Sequence, residues 1–511
     1  MQKAKRIFVL SLCLLLVLAC SACRNNDGGE TPQGDAKAGG EITVGIAADL
    51  DSSLDPHKSS GAAGTREVLF NVFEGLVKPD TDGNLVPAVA SSYAINDEGD
   101  QFTFTLREGV KFHNGDPVTA EDVVWSISRA AGLDTGTPIV NGLDSIASVE
   151  AADDGTVVIT LVEPNIEFLA YLTVAILPAG YEQQDTAPVG TGPFKFVSRS
   201  AQENIILERF EDYWGEPALL DKVTFKIIED GSALVMALQS GAVDLCAHLT
   251  SSQCAELGNM EILQGTMNLV QALYLNNAEA PFDDIKVRQA LSYAIDKQQI
   301  IDMTSDGAGV PLGSSMYPAF GKYFMDELTD YYPYDPDKAK ELLKEAGYDE
   351  SKPLTFTITV PSNYTPHVDA AQIMVDQLSK VGVNAKMEQV EWATWYSDVY
   401  QGRKFQSTVC GMDASTMTAR AMLERFNSMS PKDFINFVNA SYDDAFNRAI
   451  SAKDEESQLK AYQECMTILT EQAANVYVQD LADLVAINPQ LTGYRFYPLY
   501  VMDLSGVGFR E

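Results

Sequence analysis

Basic side chains are scarce in this 511-residue sequence, which has 36 Lys and Arg against 72 Asp and Glu and a formal net charge of −36. A surface of this sign repels phosphate backbones and anionic lipid, so we expect no nucleic-acid partner and only weak adhesion to bilayers. The same acidic excess favours solubility. A hydrophobic content of 46% excludes wholesale disorder.

Histidine and the local motifs of enzymes are also lacking. The sequence contains no G-x-S-x-G, no H-E-x-x-H, no phosphate-binding loop and no strand-linked G-x-G-x-x-G. Its four histidines, His57, His113, His248 and His367, are far apart and do not have the spacing of metal ligands. We therefore expect no catalytic residue, no metal site and no cofactor. An exported hydrolase that acts on peptides is kept as a remote alternative.

Cysteine is rare as well, with 7 residues in the whole sequence, so the chain is not a disulfide scaffold. Cys246 and Cys254, in "DLCAHLTSSQC", are close enough along the chain to form a bridge if the intervening turn allows it. They can equally be two ordinary half-buried thiols, and the sequence leaves both possibilities open.

Long apolar runs are limited to residues 7–19, which follow the basic segment "MQKAKR". As a helix this run would span about 20 Å, short of the ~30 Å hydrocarbon core, so it predicts an export signal at residues 1–19. The next residue, Cys20, follows "LVLA", which is typical of a bacterial lipobox. We predict that Cys20 carries a lipid that anchors the protein to the outer face of the cell membrane, with Cys23 as the alternative.

After the signal, residues 20–40 are expected to hold the lipidated cysteine and a polar, flexible linker. Strands and helices then alternate. "TAEDVVWSISRA" begins with a capping box of Thr119 and Asp122, and Asp335 is placed to cap the helix in "DPDKAKELLKEAG". "DDIKVRQALSYAIDKQQIID" predicts one long amphipathic helix, whereas "LTFTITV", "VDAAQIMVDQLSKVG" and "VNAKMEQV" predict a β-α-β unit with parallel strands.

Several longer motifs point in register to one family. In chain order they are "LDP", "NVFEGLVK", "GNLVPAVASSYAI", "FTFTLREGVKFHNGDPVTAEDVVWSISRA", "PVGTGPFKF", "LERFEDYWG", "ALYLNNAEAPFDDIKVRQALSYAID" and "YDPDKAKELLKEAGY". Each is weak alone, but together they cover nearly everything after the linker. With them the sequence resembles the extracytoplasmic solute-binding proteins of ABC importers, in the class that binds peptides, nickel complexes and related solutes (solute-binding family 5).

The resemblance implies an α/β, two-lobed periplasmic-binding-protein-like fold (type II, large peptide-binding class), with an extra subdomain inserted in the first lobe. Lobe I is then expected at residues 41–63, 187–274 and 482–511, the inserted subdomain at 64–186, and lobe II at 275–481. Closure of the lobes over a solute creates the state that the importer recognises. The implied partners are a peptide or other small solute and the permease and ATPase of the importer, with the protein acting as a monomer.

The resemblance also implies residues that bind the ligand. Peptide-binding relatives place an Asp just after a strand end in the second lobe, beside an aromatic residue, where it pairs with the ligand's α-amino group. Asp413 in "STVCGMDAS" matches this position, with Met412 where the aromatic residue is common; Asp413 can also be the N-cap of a helix that begins at Ala414. The other candidates, two arginines for a carboxylate and two residues at the lobe crossing, are Arg66, Arg420, Tyr274 and Asn276.

The function that follows is that of a membrane-tethered lipoprotein that captures di- and oligopeptides by hinge closure and delivers them to an ABC permease. A nickel chelate, an oligosaccharide or another small solute remains open as cargo, because Met412 and the absence of the usual downstream Asp-Pro depart from the peptide-binding pattern. A sensory lipoprotein that signals without transport is a remote alternative.

Overall fold

The computed structural model describes residues 36–58, 63–414 and 416–511. The expected export signal and both lipidation candidates, Cys20 and Cys23, lie outside the described residues. Within the described part of the chain, no helix is both long enough and apolar enough to cross a membrane.

Short strands make up the sheets of the molecule. In chain order the described strands are β1 (Ala36–Lys37), β2 (Glu41–Ile46), β3 (Val77–Pro79), β4 (Leu85–Pro87), β5 (Ala90–Ile95), β6 (Gln101–Leu106), β7 (Ile146–Asp153), β8 (Thr156–Leu161), β9 (Phe194–Ser200), β10 (Asn204–Arg209), β11 (Lys222–Ile227), β12 (Leu245–Leu249), β13 (Glu261–Thr266), β14 (Leu269–Leu275), β15 (Val310–Pro311), β16 (Thr355–Pro361), β17 (Asn384–Val390), β18 (Ser407–Asp413), β19 (Asn475–Asp480), β20 (Ala482–Ile487), β21 (Leu491–Thr492) and β22 (Gly508–Arg510).

Helices connect and cover these strands. The α-helices in the described residues are α1 (Ala63–Leu69), α2 (Ala120–Ala131), α3 (Gly231–Gln239), α4 (Ser251–Ala255), α5 (Ile285–Ala294), α6 (Lys297–Ser305), α7 (Pro336–Glu345), α8 (Thr365–Ser379), α9 (Trp392–Thr394), α10 (Ala419–Leu423), α11 (Ala440–Ile450) and α12 (Glu455–Glu471). Four short 3₁₀ segments and one π-helical segment complete the described helical structure, namely Phe168–Thr173, Pro318–Tyr323, Asp326–Leu328, Glu424–Phe426 and Trp395–Gln401.

Two mixed sheets form the two lobes. The sheet of the first lobe has seven strands in the order β13-β20-β12-β2-β11-β10-β9, and that of the second lobe has six in the order β15-β19-β14-β18-β16-β17. Buried hydrophobic residues cover both faces of each sheet, which is why strand β14 is apolar along its length except at Gln271. The predicted α/β two-lobed fold is confirmed.

Within the described residues the chain passes between these two sheets twice, at Met267–Asn268 and at Leu481. The two crossings are joined, because the backbone N–H of Met267 donates to the carbonyl of Leu481 at 2.8 Å. Strand β14 pairs with β18 and β19 in the second sheet, whereas we expected lobe I to extend to residue 274. A strand buried on both faces has the same sequence pattern in either lobe, so only its pairing partners reveal which lobe contains it.

The inserted subdomain is a four-stranded antiparallel sheet, β5-β6-β8-β7, covered by α2 and accompanied by the hairpin of β3 and β4. Its core begins at Leu76 and extends to Ile176. We expected this subdomain to start at residue 64, but Val68 and Val72 pack in the core of the first sheet. The apolar face of α1 therefore belongs to lobe I, and this places the polar residues of α1 beside the cleft.

Local signals in the sequence differ in how well they mark helix boundaries. The capping box of Thr119 and Asp122 and the N-cap at Asp335 are confirmed. The predicted long helix is wrong, because it is two helices, α5 and α6, separated by an extended Ile295. The Asp296 carboxylate accepts the N–H of Gln299 at 3.0 Å and thereby starts the second helix. Cys246 and Cys254 are free thiols and are not bonded to each other.

Candidate functional site

The edge of the second lobe that faces the first is built from the carboxyl ends of three parallel strands. Strands β16, β17 and β18 run in the same direction, so the residues that follow them lie along one edge. Asp413 ends β18, Tyr364 follows β16 and Trp392 follows β17. Both crossings to the first lobe also leave from this edge, since Leu269 of β14 pairs with Asp413.

The facing edge of the first lobe carries a second set of polar side chains. Strands β2, β11 and β12 are parallel, and His248 lies near the carboxyl end of β12. Asp483 lies at the start of the antiparallel strand β20, next to the crossing at Leu481. Helix α1 adds Arg66 and Glu67. The fold thus brings four ionisable side chains, Arg66, Glu67, His248 and Asp483, together at this edge of lobe I.

An ion pair joins the two edges. The Arg66 guanidinium donates to the Asp413 carboxylate at 2.6 Å, although the two residues are 347 positions apart. Arg66 belongs to the first lobe and Asp413 to the second, so the lobes are in direct polar contact. The Asp413 side chain is 36% exposed, and the pair is therefore open to solvent and to a solute. Two of the sequence-predicted site residues are brought together in this way.

Asp413 lies in a positive environment. Partial burial alone would raise its pKa, but the charge of Arg66 and its hydrogen bond, with a smaller effect of Arg425, lower the pKa below its usual value. Arg425 also donates to the backbone carbonyl of Asp413 at 2.7 Å. Among the described residues, the Nε–H groups of both arginines have no hydrogen-bond acceptor. Two buried N–H donors of the arginines that contact Asp413 are thus without an acceptor in the described part of the chain.

A triad of half-buried His248 and two buried carboxylates supports Arg66 from within lobe I. The imidazole of His248 bonds Glu67 through Nε2 at 2.7 Å and Asp483 through Nδ1 at 2.9 Å. Burial alone would lower the pKa of His248, but the charges and hydrogen bonds of Asp483 and Glu67 raise the pKa well above its usual value, which favours the protonated ring. The ring of Tyr500 stacks on the imidazole at 4.5 Å. Because Glu67 adjoins Arg66 on α1, the triad fixes the turn that carries Arg66.

A second contact between the lobes involves the inserted subdomain. The hydroxyl of Tyr462 in lobe II donates to the carboxylate of Glu167 at 2.7 Å. Burial raises the pKa of Glu167, although the hydrogen bond from Tyr462 and the charge of Arg420 act in the opposite direction. Arg420, which we predicted as a ligand-binding residue, thus lies beside Glu167 at this outer contact and is not grouped with Arg66 and Asp413.

Three other predicted site residues lie in the core of lobe II. Successive side chains of a strand point to opposite faces, and Met412 packs in the hydrophobic core beneath β18. The Tyr274 hydroxyl donates to the carbonyl of Val270 at 3.0 Å, and the Asn276 amide donates to the carbonyl of Phe405 at 2.9 Å. These contacts give Met412, Tyr274 and Asn276 structural roles.

Asp413 is not a helix N-cap in this structure, because α10 begins at Ala419 and is capped by Thr418. Arg425 and the triad of Glu67, His248 and Asp483 could not be recognised as site residues from the sequence. No local motif marks the triad, since its members are far apart in sequence and meet only when lobe I has folded. The signal that could have pointed to the triad is the isolated His248, the one of the four histidines whose pKa is raised and not lowered.

Two lobes that face each other across a charged cleft and are joined by paired crossings define a solute-binding protein of the periplasmic type. Residues 84–434 match the family described as "Bacterial extracellular solute-binding proteins, family 5 Middle". The chain belongs to this family. It is therefore a non-enzymatic, extracellular substrate-binding protein that binds a small solute for an ABC transporter.

Named relatives span almost the whole chain. Heme-binding protein A of Haemophilus influenzae is 31% identical over 96% of this chain and 97% of its own length. The glutathione-binding protein GsiB of Salmonella typhimurium is 28% identical, with 91% and 93% covered. The structure of the ABC transporter substrate-binding protein CtaP of Listeria monocytogenes has a TM-score of 0.83 at 26% identity and covers 93% of this chain and 100% of that one. DppA of Helicobacter pylori, solved with the peptide STSA, has a TM-score of 0.79 at 26% identity and covers 93% and 99%.

Proposed function

We propose that this protein captures a zwitterionic solute, namely a peptide with free amino and carboxyl ends, and delivers it to an ABC permease. The observation that carries the proposal is the ion pair between Arg66 and Asp413 across the cleft. The guanidinium occupies the position in which the ammonium group of a ligand would meet Asp413. A zwitterion that enters between the two side chains replaces one ion pair by two.

The charges around the cleft suit both ends of such a ligand. Asp413 is held in its ionised form and is partly exposed, so that it can accept an ammonium group. Arg66 can turn its guanidinium to a carboxylate, and its Nε–H, which has no acceptor among the described residues, adds a further donor. A ligand held in this way contacts both lobes at once. It therefore stabilises the closed form by contacts that the open form lacks.

The relatives support a peptide as cargo. The Helicobacter pylori protein was solved with a peptide, and the Salmonella protein is named for glutathione, which is itself a small peptide. Heme is a second candidate, because the Haemophilus influenzae relative at 31% identity is named a heme-binding protein. Heme has two carboxylates and no amine, so it would require Arg66 and would not require Asp413. A nickel chelate or an oligosaccharide would occupy the same cleft.

Blocking the ends of the peptide tests the proposal. Purified residues 24–511 should be stabilised against thermal unfolding by a random pool of di- to hexapeptides with free ends. At 100 times the Kd, a ligand adds about 2.7 kcal/mol to the stability of the folded protein. The N-acetylated pool should give no shift, because it leaves Asp413 without a cation to bind. Equal shifts from the free and acetylated pools would contradict the proposal, and a shift from hemin alone would favour heme as cargo.

We further propose that the mature protein is tethered by a lipid on Cys20, on the sequence evidence of the lipobox. Expression in bacteria with labelled palmitate should label the wild-type protein and the Cys23→Ser variant, and it should not label Cys20→Ser. The two substitutions are matched, because each replaces one cysteine of the four-residue segment "CSAC" by serine. Retention of label by Cys20→Ser together with its loss from Cys23→Ser would assign the lipid to Cys23.

A further inference from the structure

An exposed group of aromatic rings lies on the cleft edge of lobe II, and neither the ion pair nor the triad uses it. Its members, Tyr364, Trp392 and Tyr396, are 40%, 42% and 44% exposed. We call these three side chains the aromatic platform. Large apolar side chains in contact with one another at the surface mark binding sites more often than isolated ones do.

The platform has a rigid base. The indole of Trp392 stacks on that of buried Trp395 at 5.2 Å with 16° between the rings, and the ring of Tyr396 stacks on Tyr400 at 5.7 Å with the same angle. The Trp395 Nε1–H donates to the Thr408 hydroxyl at 2.9 Å, which fixes this indole in the core. The exposed rings are therefore held in place before any ligand arrives.

The backbone beneath the platform is a π-helical segment, Trp395–Gln401, in which the N–H of Gly402 donates to the carbonyl of Ser397 five residues earlier at 2.9 Å. This wider turn brings the ring of Tyr400 beside that of Trp395, which lies five residues earlier in the sequence, and the two ring centres are 6.1 Å apart. Such segments are rare and are frequently found at functional sites. Here the segment supports the rings from below.

The platform is continuous with the charged part of the cleft. Tyr364 and Trp392 follow parallel strands β16 and β17, and Asp413 ends the neighbouring strand β18. The ring of Tyr364 meets that of Trp392 edge to face at 5.5 Å and so connects the platform to this edge. Burial is the main cause that raises the pKa of Tyr364. The negative charge of Asp413 raises this pKa further, which shows that the Tyr364 hydroxyl lies near Asp413.

We propose that the aromatic platform binds a flat apolar ring of the solute whose charged groups are held at Arg66 and Asp413. Aromatic pairs gain from offset stacking and edge-to-face contact beyond the area that they bury, which corresponds to about two- to tenfold in affinity for each ring pair. The ring is either an aromatic side chain of a peptide or the plane of a tetrapyrrole. The peptide form of this assignment rests on the proposed function, whereas the tetrapyrrole form does not.

The test compares solutes with and without a ring. Wild-type protein is incubated with equimolar tripeptides that differ only in having Phe, Trp, Leu or cyclohexylalanine at one position, and the bound species are measured by native mass spectrometry. In a second arm, hemin binding is followed by its absorbance. Both arms are repeated with Trp392→Ala combined with Tyr396→Ala, and with the matching pair Trp392→Phe and Tyr396→Phe, which retains both rings. Tyr334→Ala is the control, because Tyr334 is equally exposed, at 45%, but lies away from the platform. It is near Lys380, at the end of α8 opposite to Tyr364.

We expect the wild type to enrich aromatic over aliphatic tripeptides by about two- to tenfold for each platform ring that the side chain contacts. The double alanine variant should lose this enrichment and still bind peptides, while the phenylalanine pair and Tyr334→Ala should retain it. If no peptide binds but hemin binding falls at least about fivefold in the alanine pair, the platform is supported and the zwitterion proposal fails. The platform is overturned if ligands bind equally well to the wild type and the alanine pair, or if neither peptides nor hemin bind. Unchanged thermal unfolding of the variants confirms that they are folded.

Discussion

Replacing Asp413 by asparagine is expected to weaken the binding of amine-terminated peptides by about 30-fold to several thousandfold. This range corresponds to about 2–5 kcal/mol, the usual cost of removing one partner from a hydrogen-bonded charge pair that a ligand buries. Asparagine keeps the size of the side chain and an oxygen that can accept from Arg66. The change therefore removes the negative charge and leaves the packing beneath β18 as it is.

Isothermal titration calorimetry with free and N-acetylated forms of one bound peptide measures this effect. The variant should bind the two forms almost equally, whereas the wild type should prefer the free form. Asp376→Asn is the matched control, because Asp376 is an exposed carboxylate on α8 that pairs with Lys380 and lies outside the cleft. An affinity of Asp413→Asn within twofold of the wild type would show that Asp413 does not bind the amine.

Replacing His248 by asparagine is expected to lower the free energy of unfolding by about 3–5 kcal/mol near pH 6, because it leaves two buried carboxylates without their cation. Among the described residues, His248 is the basic side chain that forms an ion pair with Glu67 and Asp483. Asparagine suits the backbone at this position, where φ is 60°, since it enters the left-handed region more readily than most residues. The His248→Asn substitution therefore removes the charge without adding backbone strain.

The same variant gives a pH dependence of known sign. The pKa of His248 is raised in the folded protein, so its contribution to stability is complete below the unfolded-state value of about 6.5. The contribution declines above that pH and is lost as the pH rises through the raised folded-state pKa. The stability difference between the wild type and His248→Asn should therefore shrink steadily on going from pH 6 to alkaline buffer.

Urea unfolding followed by circular dichroism provides both measurements. The control neutralises the triad as a whole by adding Glu67→Gln and Asp483→Asn to His248→Asn, and this should restore much of the lost stability. Restoration is expected because a neutral hydrogen-bonded group costs far less to bury than an unpaired charge. If His248→Asn unfolds at the same urea concentration as the wild type at pH 6, the triad is not a charged network.

Local structure could be predicted from the sequence where a single residue type has a defined backbone role. Thr119 and Asp335 start helices as expected, because a side-chain oxygen satisfies N–H groups within its own first turn. The break at Ile295 could be predicted by the same reasoning, since aspartate is a preferred N-cap residue and Asp296 caps the second helix. It was missed because the apolar spacing continues across the break.

The site itself could be predicted only in part. Asp413 and Arg66 were candidates individually, yet nothing in the sequence indicates that they meet, because the contact depends on the angle between two lobes. Met412 was a candidate because it adjoins Asp413 in the sequence. The Asp413 side chain lies at the cleft, whereas the Met412 side chain is buried in the core of lobe II. Contacts within a turn follow from local chemistry, and contacts between lobes follow from the assembled fold.

The position of β20 has a consequence for the order in which the molecule can be made. This strand lies between β13 and β12 in the first sheet, although all of lobe II separates it from them along the chain. As the chain emerges from its amino end, the first sheet lacks an interior strand until residue 482 has appeared. The second lobe, which is continuous in sequence, can form before that point. We therefore expect the lobe that begins the chain to be the last to become stable.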